Sequence, residues 1–340
     1  MNKIITLAFA FFTFSPLNDS LSVNSTYMDQ YNGFLKQYNK EFSQERFLTF
    51  KENSKFIEDF NENTFNVSIN GFSDLNFSNN KNHLRIKDSD ECYNCFLDGN
   101  GTVVPLKVDW RKKDAVTSIK NQGQCGGCWA FSATGAVEGV VAINTGVLHN
   151  ISEQQLIDCS SEEGNHGCEG GLMDSAFKYI IDNHGLCSEE DYPYNATTNQ
   201  CNSTTCKNVV KITNYSDVTP NNEKALKRAV AQQPVSVAIQ ANTQSFQHYS
   251  GGIYSDINCG TQLDHGVLVV GSGTELLKGI DYWIVKNSWG ESWGDNGYIK
   301  ILRNFNDSRG LCGIAMQPSF PNYFNNYYLY NGKNKFEEKI

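Results

Sequence analysis

Cys128 stands in the run Gln122-Gly-Gln-Cys125-Gly126-Gly127-Cys128-Trp129. A histidine follows 137 residues later as His265, and an asparagine 159 residues later as Asn287. These residue types in this order can do nucleophilic chemistry. The attacking form of cysteine is the thiolate, and an ordinary thiol with a pKa of about 8.5 supplies little of it at neutral pH. After Cys128, apolar side chains recur at helical spacing. The sulfur is therefore expected at a helix N-terminus, where the dipole favours an anion. His265 would serve as counter-cation and then protonate the leaving amine. The carbonyl of Asn287 would hold the second ring nitrogen without adding charge. Trp289 would shield that bond from water. The Gln122 amide and the backbone N–H of Cys128 would form an oxyanion hole.

A different chemistry uses some of the same residues. Cys125-Gly-Gly-Cys128 is formally a C-x-x-C, the pattern of a thiol–disulfide oxidoreductase. That reading asks for a βαβ unit and a Trp before the first Cys, where Gln124 stands. A zinc site joining Cys92 and Cys95 to Cys125 and Cys128 has a long loop and thiols that tend to oxidise in a secretory chain. No metal or cofactor is therefore expected.

The papain and cathepsin signature C-G-[SA]-C-[WY] reads Cys125-Gly126-Gly127-Cys128-Trp129 here, with Gly127 at the small-residue position. From about residue 104 to 321 the chain resembles the papain family of cysteine proteases, cathepsin L-like in type. The asparagine lies slightly beyond the usual spacing, and a loop inserted at 274–280 accounts for the excess. The resemblance implies the roles given above for Cys128, His265, Asn287 and Gln122. It implies a bare edge at Gly170 and Gly171 where extended substrate pairs. It implies a pocket for the P2 side chain walled by Leu172, Met173, Ala238, Leu263 and Gly266, with Gln317 at its floor. Gly126, Asp264 and Trp289 join these as substrate contacts. Uncharged Gln317 cannot offer a carboxylate to Arg, so apolar P2 residues and endopeptidase action are expected. The resemblance also implies the disulfides Cys125–Cys168, Cys159–Cys201 and Cys259–Cys312. A fourth, Cys187–Cys206, follows by elimination, with a swapped pairing among Cys159, Cys187, Cys201 and Cys206 as its competitor.

The elements that must position these residues change character along the chain. Helical patterns dominate from 104 to about 190, and short apolar strands appear from about 209. This order reads as α+β. Under the resemblance it is a papain-like two-lobe fold, with a helical N-terminal lobe, a β-rich C-terminal lobe and the active site in the cleft between them. A capping box, Ser152-x-x-Gln155, opens one of the helices.

Upstream, residues 19–103 are polar and charged. Arg46, Phe50, Asn53, Ile57 and Asn61 fall at helical spacing and resemble a cathepsin L-type prosegment motif. Asn70-Gly-Phe72-Ser-Asp74 resembles a second such motif. Phe42 replaces the Glu expected before Arg46, which suggests a shortened first helix. Residues 19–103 are thus expected to be an inhibitory propeptide, 104–321 the peptidase domain and 322–340 a mobile tail. An apolar run at 4–14 after Lys3 is too short to span a bilayer and reads as a signal peptide ending near 18. Eleven cysteines fit an oxidising compartment. Ten Asn-x-Ser/Thr sequons, such as Asn150 and Asn195, would be acceptors for glycans there. The expected route is the secretory pathway, ending in a lysosome, a vacuole or outside the cell. A net charge of −9 argues against nucleic acid as a partner. The expected partners are protein and peptide substrates and the chain's own propeptide, with the enzyme a monomer.

Overall fold

The structure is a computed structural model. It describes residues 17–76, 84, 104–202, 206–207 and 209–323, with 17–25 described by backbone alone. Cys92, Cys95 and most of the expected signal peptide lie outside the described residues. The chain divides into two compact units, Met1–Asp59 with Ser73–Leu75, and Phe60–Phe72 with Asn76–Ile340.

The first unit pairs helix α1 (Leu17–Gln37) with α2 (Gln44–Asp59). Tyr27, Tyr31 and Phe34 on α1 and Phe47 and Phe50 on α2 form its core, following the i, i+3, i+4 spacing of an amphipathic helix. The prosegment motif has a structural role here. Phe50 is core, and the Asn53 amide donates to the Ser73 carbonyl at 2.9 Å. The buried carboxylate of Asp74 pairs with Lys40 and, at 3.7 Å, with Arg46. The first helix is not short. It runs 21 residues, because Phe42 falls in the connection to α2, where its identity does not bear on helix length.

The second unit has a helical part and a sheet part. Helices α3 (Cys128–Thr145), α4 (Glu153–Cys159) and α5 (Met173–Asp182) come first. Ser152 caps α4 by accepting from the Gln155 N–H at 3.0 Å. Helices α6 (Glu223–Gln232) and α7 (Gln244–Gln247) interleave with the strands. The strands are β1 (Phe65–Val67), β2 (Val108–Asp109), β3 (Asn214–Asp217), β4 (Val235–Ile239), β5 (Tyr249–Tyr254), β6 (His265–Glu275), β7 (Ile280–Lys286), β8 (Tyr298–Leu302) and β9 (Ser319–Asn322). They form an open sheet in the order β1-β5-β8-β7-β6-β4-β9-β3, with β2 on β6.

Two large apolar cores result, beside a smaller cluster of Val108, Trp110, Ala115 and Ala142. One gathers α3, α5 and their neighbours, including Trp129, Val137, Phe177 and Ile180. The other lies on the sheet, around Val237, Phe246, Trp283, Trp293 and Ile301. Strand β4 is buried along its whole length, whereas β8 alternates between buried and half-buried positions, with one face on the core. Asn322 belongs to the sheet. It pairs with Asn214, and Tyr323 packs against the first core, so the fold extends past the expected start of the tail. Among the described residues no helix is long and apolar enough to cross a membrane.

Candidate active site

Cys128 is the first residue of α3, and Gly127 is its N-cap. Cys125 is bonded to Cys168, so Cys128 is the free thiol of the pair. That arrangement gives the oxidoreductase reading no support, since its two cysteines would have to share one disulfide. Cys159–Cys201, Cys187–Cys206 and Cys259–Cys312 are also bonded.

His265 opens β6, and Asn287 directly follows β7. Antiparallel pairing of the two strands brings them together. His265 Nε2 lies 2.7 Å from Asn287 Oδ1. That oxygen also accepts the Ser288 backbone N–H at 2.8 Å. A backbone N–H can only donate, which fixes the oxygen side of the Asn287 amide toward the ring. His265 Nε2 must then carry a proton, and in the neutral ring Nδ1 keeps its lone pair. The Trp289 ring lies 4.8 Å from the imidazole, tilted by 32°. Phe72, Phe246 and Trp293 in turn surround Trp289.

Gln122 is buried and held at both ends. Its Nε2 donates to the Cys125 carbonyl at 2.9 Å. Its Oε1 accepts from Ser288 Oγ at 2.6 Å. Its backbone N–H donates to the Ser288 carbonyl at 2.8 Å, and its carbonyl accepts the Tyr194 hydroxyl at 2.7 Å. The bond to Cys125 uses one of the two hydrogens on Nε2. Ser288 was not singled out from the sequence. Its place between Asn287 and Trp289 puts it near the site but does not mark it as a partner of Gln122.

Glycines let the backbones approach. A Cβ on Gly266 would come 3.3 Å from both the Cys128 carbonyl and the Met173 sulfur. A Cβ on Gly171 would strike the Trp129 ring at 2.7 Å. Gly170 adopts φ +109, open in practice to glycine alone. Gly126 donates to the Cys168 carbonyl at 2.9 Å. Met173, Ala238 and Leu263 share one apolar cluster with Cys128. Leu172 is half-buried at the head of α5, and its N–H donates to Asn165 Oδ1 at 2.9 Å. Gln317 is half-buried. Its neighbour Met316, which the sequence reading omitted, packs against the cluster. Leu84 belongs to that cluster too and forms a parallel bridge with Gly171. Leu84 thus lies at the glycine edge.

Charge at the site runs against one expectation. Burial pushes the Cys128 thiol up to about 12; the N–H groups of Gly266, Trp129 and Cys128 pull it down, and the Asp264 carboxylate adds to the rise. Desolvation thus works against the thiolate that the helix N-terminus favours.

Behind Asn287, Lys286 donates at 2.9 Å to both the Thr117 carbonyl and its hydroxyl. Thr117 donates to Glu138, which pairs with Lys120. This buried chain ties the end of β7 to the segment that leads into Gln122.

Asp264 carries a testable pH dependence. Burial raises its carboxyl to about 6, against the pull of the Ala241 and Asn242 N–H groups. A carboxyl with a raised folded pKa stabilises the fold below its unfolded pKa. That contribution is lost as pH rises through about 6. In a Cys128→Ala background, Asp264→Asn should gain about 2 kcal/mol over its parent between pH 4 and pH 7. Urea unfolding at both pH values measures this, and an unchanged difference would contradict it.

The comparisons with known proteins agree with this geometry. Residues 104–322 match the model of the papain family cysteine protease. Residues 26–79 match the cathepsin propeptide inhibitor domain. The chain is 48% identical over 299 residues to the probable cysteine protease RDL2 of Arabidopsis thaliana, spanning 84% of this chain and 82% of that one. It is 43% identical over 318 residues to the senescence-specific cysteine protease SAG39 of Oryza sativa subsp. japonica, spanning 88% and 92%. The crystal structure of the ragweed pollen allergen Amb a 11, a cysteine protease in its proform, superposes with a TM-score of 0.82 at 39% identity, covering 93% of this chain and 100% of that one. The chain belongs to the papain family of cysteine proteases and carries that family's self-inhibiting propeptide ahead of the peptidase region.

Proposed function

We propose that the protein is a cathepsin L-like endopeptidase in which Cys128 attacks the scissile carbonyl. The observation that carries this reading is the doubly held Asn287 oxygen, which leaves His265 Nδ1 as the proton acceptor on the side away from Asn287. The thiol gives its proton to Nδ1 as the sulfur attacks, so the buried site forms an ion pair rather than an isolated anion. The oxyanion takes hydrogen bonds from Gln122 Nε2 and the Cys128 N–H. The imidazolium protonates the leaving amine, and water then hydrolyses the thioester through the same imidazole. Asn287 and Trp289 keep the ring oriented and its outer bond dry.

In the precursor, Leu84 lies along the Gly171 edge in the cluster of Met173, Ala238 and Leu263. That is the place a substrate's P2 side chain would take. Removal of residues 19–103, after a signal peptide ending near 18, would open it. The tail would begin after the last strand. The disulfides support passage through the secretory pathway to a vacuole, a lysosome or the exterior. The enzyme acts as a monomer on proteins and peptides and has no role on nucleic acid.

The test is a P2 series. Burying a Leu or Phe side chain gains roughly 1.5–3 kcal/mol, whereas Arg finds no carboxylate among Met173, Ala238, Leu263 and Gln317. Peptides with P2 Leu or Phe should exceed P2 Arg by about 10- to 100-fold in kcat/KM. Parity between Phe and Arg would defeat the assignment of the pocket.

A further inference from the structure

Gln122 is strapped to the segment that follows β7. Its N–H donates to the Ser288 carbonyl at 2.8 Å, and Ser288 Oγ donates to its Oε1 at 2.6 Å. The Gly290 N–H donates to the Lys120 carbonyl at 3.1 Å, and Asn121 forms an antiparallel bridge with Trp289. Residues 120–122 are therefore fixed to the sheet part, beside Asn287. Cys128 belongs to α3 instead, and its N–H takes its place from that helix. An oxyanion draws on both donors at one point in space, so the two sides must be held in register.

Two bonds to Gln122 come from the helical side. One is the bond from its Nε2 to the Cys125 carbonyl. The other comes from a side chain outside the site described above: the Tyr194 hydroxyl donates to the Gln122 carbonyl at 2.7 Å. Tyr194 is itself anchored beside the start of α3. Its ring stands edge-on to Phe131, three residues after Cys128, with centroids 4.9 Å apart and planes at 78°. Its hydroxyl oxygen lies 3.7 Å from where a Cβ on Gly127, the N-cap of α3, would stand. Its N–H donates to Glu189 Oε1 at 2.8 Å. The next N–H, of Asn195, donates to Gln154 Oε1 on α4 at 2.9 Å. The backbone, ring and hydroxyl of Tyr194 are thus each held by helices or their flanking segments, and the hydroxyl reaches across to the strap that carries the amide.

We propose that Tyr194 is a positioning residue for the reaction: its hydroxyl registers the Gln122 amide against the Cys128 N–H, so that both donors meet the developing oxyanion. The proposal rests on the oxyanion role given to Gln122 above. Tyr194 acts through Gln122 rather than on the reacting atoms. A donor displaced by a fraction of an ångström bonds the oxyanion less well, and that bond forms only as the carbonyl becomes tetrahedral. Loss of the hydroxyl therefore falls on kcat and spares ground-state binding.

The experiment compares the processed enzyme with its Tyr194→Phe, Gln122→Ala and double variants. Tyr194→Phe keeps the ring against Phe131 and removes the hydroxyl alone. Active sites are counted by reaction of the thiol with a dipyridyl disulfide, which forms no oxyanion, so misfolded molecules drop out of the rates. On a peptide with P2 Leu, Tyr194→Phe should lower kcat by about three- to tenfold and leave KM within about twofold, as loss of one neutral hydrogen bond predicts. The inhibition constant of a peptide aldehyde should rise by about the same factor, because its adduct with the thiol places an oxygen where the oxyanion forms. The rate of the disulfide reaction should stay within about twofold, since it reads the thiol and not the amide. The double variant should match Gln122→Ala. Unchanged kcat and aldehyde affinity in Tyr194→Phe, a loss that persists in full in the Gln122→Ala background, or an equal fall in the disulfide reaction overturns the proposal and leaves Gln122 its role. If Gln122→Ala itself leaves kcat and aldehyde affinity unchanged, the oxyanion reading fails, and the proposal with it.

Discussion

Cys128→Ala should reduce peptide hydrolysis by about 10⁴-fold or more, because it removes the atom that forms the acyl bond. The fold should persist. The residue is small, sits at the first position of α3, and has no disulfide to lose. Cys125→Ala should behave in the opposite way. It opens the Cys125–Cys168 bond and should cost about 2–4 kcal/mol of stability, while the nucleophile remains. The pair of variants separates a peptidase from a dithiol enzyme. A dithiol mechanism would lose activity equally with either change, and thermal unfolding with a peptide assay reads both properties at once.

Gln122→Ala should lower kcat by about 10²- to 10³-fold with little change in KM, since the amide acts on charge that appears only in the transition state. Ser288→Ala tests how that amide is held. The Ser288 hydroxyl fixes Gln122 Oε1 at 2.6 Å, and losing one such bond should cost roughly five- to tenfold in kcat. The double variant should be no worse than Gln122→Ala alone, because Ser288 acts through Gln122. Additive losses would mean that Ser288 acts elsewhere, for example through the Asn287 amide that its N–H also holds.

Most of this site was legible in the sequence because its parts are local signals. Cys128 begins an apolar helical pattern, His265 stands just before the continuous apolar run Gly266–Val270, and Asn287 follows another strand. Those elements formed where the periodicity put them. What the sequence did not reveal depends on side chains meeting across the fold. Ser288 reaches Gln122 across 166 positions of chain, and no spacing rule reports that. Met316 faces the apolar cluster from a stretch without helical or strand periodicity. The upward shift of the Cys128 thiol escaped for a related reason. A helix N-terminus can be read from a pattern, but the desolvation that opposes it depends on what covers the sulfur. Phe42 misled because a motif position outside a helix carries no information on helix length.

The central claim is that one buried thiol, Cys128, performs the chemistry. It is tested most directly by titrating the processed enzyme with an epoxide inactivator, whose ring carbon bonds to an attacking sulfur as the ring opens to an alcohol. The account predicts one adduct per chain, mapped by peptide mass to Cys128, with activity falling in proportion to labelling. An adduct on any other residue at full inactivation, or activity that survives complete labelling of Cys128, would contradict it.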